Sequence, residues 1–489
     1  MARVTAVIDI GSNSARMVVF ERTSRFGFQL LKEAKSRVRI SENAYANHGE
    51  LQEAAMARAE AAIGEFVTIA KSYGARKILA VATSAVRDAP NRQEFLSRIK
   101  KRFHLEIRVI DGKKEAFFGG IAALNLLPVE DAITVDIGGG STELALIKNR
   151  KIVDTVSFNI GTVRLKELFF DGKTDFRGGL KFVREALKTL PDHFRSTTVV
   201  GIGGTLRALA ESVMRKERYP LETLHAYRYD LALHKEYLEE ILMAPMTDLK
   251  RFGFKQERQD VIREGVLIFR SVVREVMAKE VITSGAGVRE GVFLNDLLRG
   301  TGGVFPAGFN PSIRAVQDQM GVEPKEAAYL RQESQKLFDL LKPLHLVDDH
   351  YRWHLGHAAT LTLAGQRFHF YKRHLHAFHI AFHSLNYGFT HEDRILIAKI
   401  LKAQQKKELA KYSPNSALAR FLPGAQTIRW LAFLLYLATA VNSNGSRPKV
   451  RYRFEKNTLF ITADQKLYLT REALQSLRPP LGLKLVLID

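Results

Sequence analysis

The chain contains no cysteine. Disulfides, thiolate metal sites and thiol catalysis are therefore excluded. It also lacks a long uninterrupted apolar run. The longest candidate, Trp430 to Val441, is too short to span a bilayer and reads as a buried helix. The N-terminus, MARVTAVIDIG, enters a strand pattern directly, with no signal peptide ahead of it. The expected compartment is the cytoplasm, with no membrane partner. Proline is sparse, with 14 residues in 489, and there is no long low-complexity tail. Acidic residues are few for the number of bases: 52 Asp+Glu face 74 Lys+Arg, a formal charge of +22. A field of that sign draws in anionic partners and raises their encounter rate. It does not choose among nucleic acid, anionic membrane and polyphosphate.

What is present begins with strand–helix alternation, the mark of an α/β protein. Val4 to Ile10 reads as a strand, Gly11-Ser12-Asn13-Ser14 as a turn, and Arg16 to Glu21 as the returning strand. Leu51 to Tyr73 has helical periodicity, and Lys77 to Ala82 is a buried strand. Asn91 to Phe103 and Glu115 to Leu127 read as helices, with the strand LEIRVI between them. The opening device then recurs. ITVDIGGGSTELALI repeats the plan of AVIDIGSNSARMVVF: strand, acid, glycine turn, strand. Such a repeat implies two related lobes around a common cleft. Phe176 to Leu190 reads as a helix, and TTVVGIGGT as a further strand and glycine turn. Gly300 to Asn310 is the clearest linker. Beyond it, Ser312 to Lys411 is helical in texture, and ten of the fifteen histidines lie from His345 to His391. RYRF, TLFITA and KLVLI return to strand near the end. The expected domains are 1–130 and 131–300 for the two lobes, 311–415 for a helical part and 416–489 for a small α+β part.

Four segments suit phosphate. In Asp9-Ile10-Gly11-Ser12-Asn13-Ser14, glycine lets the backbone turn closely round an anion while amides and hydroxyls donate. Asp9 beside such a turn suits magnesium, directly or through water, with a turn-capping Asp as the alternative. Asp136 to Glu143 contains three successive glycines, Gly138, Gly139 and Gly140, before Ser141 and Thr142. A turn that only reversed the chain would not need all three. Gly203-Gly204-Thr205 reads as a third such turn. None of these is a dinucleotide or P-loop motif. Thr83 to Asp88 follows a strand end, where α/β sites gather, and Arg87 suits a two-donor phosphate clamp; a plain surface loop is the alternative. Glu115 stands at a helix start, where it is a candidate to hold and deprotonate water; a simple helix-terminal acid is the alternative.

Together these segments resemble the exopolyphosphatase/guanosine pentaphosphate phosphohydrolase (Ppx/GppA) family. The matching stretches are DIGSNS, ATSAVRDAPN, GKKEA, VDIGGGSTE, FNIGTVRL, GIGGT and SGAGVREGVF, running from Ala6 to about Leu298. The resemblance implies a duplicated two-lobed actin-like ATPase fold of the sugar kinase and Hsp70 type. It implies Glu115 as general base, and Asp136 and Glu143, with Asp9, around Mg2+. It implies Gly11, Ser12, Asn13 and Ser14 as the first phosphate loop, and Gly138, Gly139, Gly140, Ser141 and Thr142 as the second. Arg87 and the Gly203, Gly204, Thr205 turn complete the phosphate contacts. Members often carry two acids before the alanine of GKKEA; here Lys114 fills the first place, which makes the local field more positive. The histidine-rich part resembles a helical HD-like domain, followed by the small α+β domain. Thr362 and Leu363 stand where its His and Asp belong, so its metal site is expected to be degenerate. His374, His376 and His379 persist nearby.

The activity so implied is Mg2+-dependent hydrolysis of the terminal phosphoanhydride of inorganic polyphosphate, releasing orthophosphate. Alternatives are guanosine pentaphosphate (pppGpp) 5′-phosphohydrolysis, a kinase of the same fold class, and a nonenzymatic polyanion-binding regulator. A homodimer follows from the resemblance. No specific nucleic-acid partner is expected, because no aromatic–basic RNA-binding motif is read in the chain.

Overall fold

The computed structural model describes residues 3–44, 47–171, 175–404, 417–475 and 477–488. The chain divides into two compact units, 1–309 and 310–489. The division falls at the end of the Gly300–Asn310 stretch. The expected 415/416 boundary lies outside the described residues.

The first unit contains two sheets built to one plan. In the first, β1 (Val4–Ile10), β2 (Ala15–Arg22) and β3 (Phe28–Ser36) form an antiparallel meander. β4 (Lys77–Ala82) and β5 (Ile107–Val109) then add in parallel on the β1 side, giving the order β3-β2-β1-β4-β5. In the second, β6 (Ala132–Ile137), β7 (Thr142–Lys148) and β8 (Lys151–Phe158) form the meander. β9 (Thr198–Ile202) and β11 (Glu280–Thr283) continue in parallel, and β10 (Arg228–Asp230) closes the edge antiparallel to β11. Leaving out β10, the two orders superimpose strand for strand. This is the duplicated lobe pair that the internal repeat implied, on the actin-like plan that the resemblance implied. β1 is apolar on both faces because it is central: Ala6, Val7, Ile8 and Ile10 are all wholly buried.

The lobes are not divided where chain order would divide them. The Gly112–Leu126 helix comes from the first half, yet it packs on the second sheet. A Cβ on Gly120 would touch Ile152 at 2.8 Å and Ala145 at 3.1 Å. The Val288–Leu297 helix comes from the second half and packs on the first sheet. Its Phe293 stacks on Phe20 with ring centroids 4.3 Å apart, and its Asp296 pairs with Lys77. The two helices touch at Gly291, where any Cβ would strike the Phe118 carbonyl. A 130/131 cut therefore separates each of these helices from the sheet it covers.

The second unit is helical with one small sheet. The expected buried helix is Ala425–Val441, and Trp430, Leu431, Phe433, Leu434 and Leu435 on it are wholly buried. No helix among the described residues is long and apolar enough to cross a membrane. Helices Pro324–His345, Tyr351–Leu361 and His391–Ala403 pack around it. β12 (Val450–Glu455), β13 (Thr458–Ala463) and β14 (Lys484–Ile488) form the sheet in that order. Thr362 is buried and its hydroxyl donates to the Ala358 carbonyl, a helix-local bond.

Candidate functional site

The two glycine turns are built alike. In the first hairpin Asp9 pairs with Arg16 and Ile10 with Ala15, and the Gly11 amide donates to the Ser14 carbonyl at 3.2 Å. In the second Asp136 pairs with Glu143 and Ile137 with Thr142, and the Gly138 amide donates to the Ser141 carbonyl at 2.9 Å. Each closes a four-residue turn with an acid two residues before it. The turns face each other closely: a Cβ on Gly139 would lie 3.0 Å from the Ser12 Cβ.

Between them is a cavity of about 140 Å3. It is lined by Gly11, Ser12, Asn13 and Ser14 from one turn and by Gly138, Gly139 and Ser141 from the other. Asp9, Asp136 and Glu115 border it, and so do Gly203, Gly204 and Thr205. The last three are not a strand-to-strand turn as the sequence suggested. They open the Gly203–Lys216 helix, whose first-turn amides make a natural anion seat. Gly203 has φ of 81°, and a Cβ there would collide with the Asp136 carboxylate.

Several expected residues stand apart from the cavity wall. Thr142 is fully buried and its hydroxyl donates to the Ile160 carbonyl at 2.6 Å, so it braces the hairpin instead of facing an anion. Gly140 is also absent from the lining; its carbonyl accepts from Arg164 Nε at 3.0 Å. Glu143 lies behind, where its Oε1 accepts from the Ser157 hydroxyl at 2.9 Å. Arg87 lies in the short Ser84–Asp88 helix, not in a loop. Its Nη1 is 3.4 Å from Glu115 Oε2, and its Nε is 3.2 Å from Asp88 Oδ1. Asp88 in turn accepts from Arg164 at 3.1 Å. One run of ion pairs therefore ties Glu115 in one half to the second glycine turn in the other. Lys114 does not add charge to the cavity wall; its ammonium sits 4.1 Å over the Phe117 ring.

The stretch FNIGTVRL supports the second turn from beneath. The amides of Thr162, Val163 and Arg164 donate to the carbonyls of Gly138 and Gly139. Gly161 is packed so tightly on Gly139 and Gly140 that no Cβ fits. Loop carbonyls are thus held at the back by backbone amides, with the Arg164 side chain on the Gly140 carbonyl.

Four arginines that sequence reasoning did not single out also line the cavity: Arg16, Arg207, Arg258 and Arg289. Arg16 had a local signal, since hairpin register places it opposite Asp9. Arg289 lies within SGAGVREGVF and bonds Glu33 at 2.7 Å. Arg207 donates to the Ser284 carbonyl at 2.8 Å. Arg258 fills the space beside Gly204 and has no sequence signal.

The electrostatics are those of a crowded cleft. Burial raises Asp9 to about 6, opposed by Arg289 and Arg16. Burial also raises Asp136, opposed by Arg207 and Arg16. Glu143 is pushed to about 8, chiefly by burial. Glu115 is raised well above the ordinary carboxylate range by burial and then by Glu143, Asp136 and Asp9, with Arg87 pulling it down. Burial lowers Arg207 to about 10. Carboxylates that repel one another, ringed by guanidiniums, can take both a cation and a polyanion.

The profile of the Ppx/GppA phosphatase family matches residues 18–300, more than half of the chain. A solved Ppx/GppA family member from Aquifex aeolicus is 27% identical; the match covers 62% of this chain and 99% of that one, with a TM-score of 0.53. A structure described as an exopolyphosphatase from Cytophaga hutchinsonii is 25% identical over 60% of this chain and 97% of that one, with a TM-score of 0.56.

Proposed function

Because this chain belongs to the Ppx/GppA phosphatase family, we propose that it is an exopolyphosphatase: it hydrolyses the terminal phosphoanhydride of inorganic polyphosphate and releases orthophosphate. The observation that carries this reading is the placement of Glu115 on the wall of a cavity shared by both glycine turns. Phosphoryl transfer to water needs an oriented nucleophile and charge neutralisation, with little other chemistry. The turn amides, the helix start at Gly203 and the four arginines supply donors for the terminal phosphates. Glu115 holds the attacking water and accepts its proton. Arg87 keeps the Glu115 carboxylate available and fixes its direction. The large positive charge favours a long polyanion over a nucleotide. Affinity that falls steeply with salt would accompany such tracking.

The residues present suit Mg2+. Asp9 Oδ1 is shut off from solvent and, among the described residues, has no hydrogen-bond partner. Among the described residues no three His, Asp or Glu side chains form a cage of their own. Magnesium needs none, because it takes one or two carboxylates and completes its shell with water and phosphate oxygens. Asp9 and Asp136 would hold it, with Glu143 behind Asp136. Bound there, the ion would neutralise charge on the phosphate oxygens.

Glu115→Gln tests the assignment. Orthophosphate release from long-chain polyphosphate should fall by about 10²- to 10⁴-fold, the span typical of a lost general base. Polyphosphate binding should persist. Turnover at the parent rate would remove Glu115 from the role. Running pppGpp beside polyphosphate decides substrate preference.

A further inference from the structure

Between Asp349 and Glu392 the sequence has no acidic residue at all. In the middle of this stretch stands Arg367-Phe368-His369-Phe370-Tyr371-Lys372-Arg373. Its rings are not in the core. Phe368 and Phe370 are each 62% exposed and Tyr371 is 77% exposed. Fully burying one such side chain is worth roughly 1.5–3 kcal/mol, so three neighbours left in water form a surface with a use. The backbone accounts for the display. The segment is two short 3₁₀ turns, Ala364–Arg367 and Phe370–Lys372, ahead of the Arg373–Ser384 helix. The first turn buries Ala364 and Gly365, and the second buries no residue.

The rings form an ordered group. Phe368 stacks on His376 with centroids 5.6 Å apart and planes 26° apart. Phe370 and Tyr371 stand edge to face at 5.6 Å and 86°. His369 lies 6.0 Å from Tyr371 and 6.5 Å from His376. The Arg373 guanidinium lies 5.3 Å from the Phe370 centroid. Arg367 and Lys372 are exposed beside them.

From this placement we infer that the turn at 367–373 is a binding platform for single-stranded nucleic acid, read without sequence preference. Cations interleaved with exposed π faces are what stacked bases on a phosphate backbone require. Polyphosphate explains the cations but not the rings, because it has no bases. A bilayer explains them less well. Every exposed large apolar side chain from 350 to 391 is aromatic, namely Trp353, Phe368, Phe370 and Tyr371, and no aliphatic side chain joins them to enter a hydrocarbon layer. Nor does the acid-free stretch contain a repulsive charge that would push a phosphate backbone away.

The probe is a 5′-fluorescein 15-nucleotide polyuridylate strand, titrated with the full-length chain and followed by fluorescence anisotropy. The paired substitution Phe370→Ala with Tyr371→Ala should weaken binding by about ten-fold or more, in line with the loss of a stacked base. Phe370→Trp should retain it. Arg367→Ala with Lys372→Ala should flatten the logarithmic salt dependence by about 1.4, two contacts at about 0.7 each. Orthophosphate release from polyphosphate should be unchanged in all these variants. Parent-like anisotropy curves for the double-alanine variant would overturn the inference, as would equal affinity for a 15-base-pair RNA duplex. So would phosphatidylserine vesicles sedimenting with the chain through the same residues while the strand fails to bind. Circular dichroism of each variant separates a lost contact from a lost fold.

Discussion

Replacing Arg87 by methionine keeps most of the side-chain volume and removes the one guanidinium that, among the described residues, is bound directly to Glu115. The Nη1–Oε2 distance is 3.4 Å, with side chains only 17% and 12% exposed. Two unit charges 4 Å apart interact by about 1 kcal/mol in bulk water and about 4 kcal/mol at an effective dielectric of about 20. A pair enclosed to this degree belongs with the second figure. The sign follows from the protonation state required. Glu115 must be ionised to accept a proton, and burial with Glu143, Asp136 and Asp9 already raises it. Arg87 is the group that opposes this rise. Without it Glu115 stays protonated to higher pH, and the acid limb of activity moves upward. The assay is orthophosphate release against pH, fitted for kcat/KM, which reports the groups of the free enzyme. The substrate's own titration is common to both proteins and drops out of the difference. An acid limb that stays in place while kcat falls would refute the reasoning. Arg87 would then act on the phosphate alone.

Two further outcomes follow from packing and burial. Gly161→Ala forces a methyl against the backbone of Gly139 and Gly140, so the second turn must move. Stability should drop by about 1–3 kcal/mol and kcat by about 10²-fold, checked by thermal melts and steady-state kinetics; an unchanged kcat would show that the turn's position is not critical. Glu264, on the Ile262–Glu275 helix, is raised by burial to about 7. A raised carboxylate contributes stability below its unfolded value and loses it as pH climbs through the folded value. Glu264→Gln removes that loss, so its melting temperature should exceed the parent's by about 5 °C at pH 8 and match it near pH 4.5, by calorimetry. A deficit at pH 8 would contradict the burial argument.

The hairpins were legible because their signals are local. A glycine run between two apolar strands fixes the turn, and pairing register follows from it. β3 and β8 gave less to read. They are edge strands with exposed charged positions such as Lys32, Glu33 and Lys151, and their apolar pattern is thin. The Gly203 turn was misassigned because glycines at a helix start and at a hairpin look alike without the partner strand. Arg207, Arg258 and Arg289 were illegible for a different reason. They come from distant elements and converge only when the two sheets face each other. The crossing of the Gly112 and Val288 helices to opposite sheets is likewise tertiary, set by apolar contacts such as Phe20 with Phe293. The aromatic–basic turn at 367–373 was not read as a motif, since only exposure decides whether its three rings are core or platform.

The duplication also bears on why Glu115 borders the cavity and Glu290 does not. GKKEA, Gly112 to Ala116, and GVREG, Gly287 to Gly291, occupy corresponding places, each opening the helix after a parallel strand. In letters Glu115 and Glu290 align, but counted from the caps Asp111 and Gly287 they stand fourth and third in their helices, so Glu290 occupies the place that Lys114 holds in the first half. The two helices also differ in the cap itself. In the first half Asp111 accepts from the Lys114 amide at 2.7 Å, so Glu115 is not needed as a cap and turns to the cavity. In the second half the cap position is Gly287, which has no side chain to accept. Glu290 folds back and takes the Gly287 amide at 2.7 Å. The same asymmetry appears in the hairpins, where Asp136 faces Glu143 but Asp9 faces Arg16. Both halves bring acids and cations to the cavity: Asp9, Glu115 and Arg16 come from the first, and Asp136, Arg207, Arg258 and Arg289 from the second. What separates the two glutamates is the cap together with the helix register. An Asp cap leaves Glu115 one place further along and facing the cavity, whereas a glycine cap recruits Glu290 to the helix end.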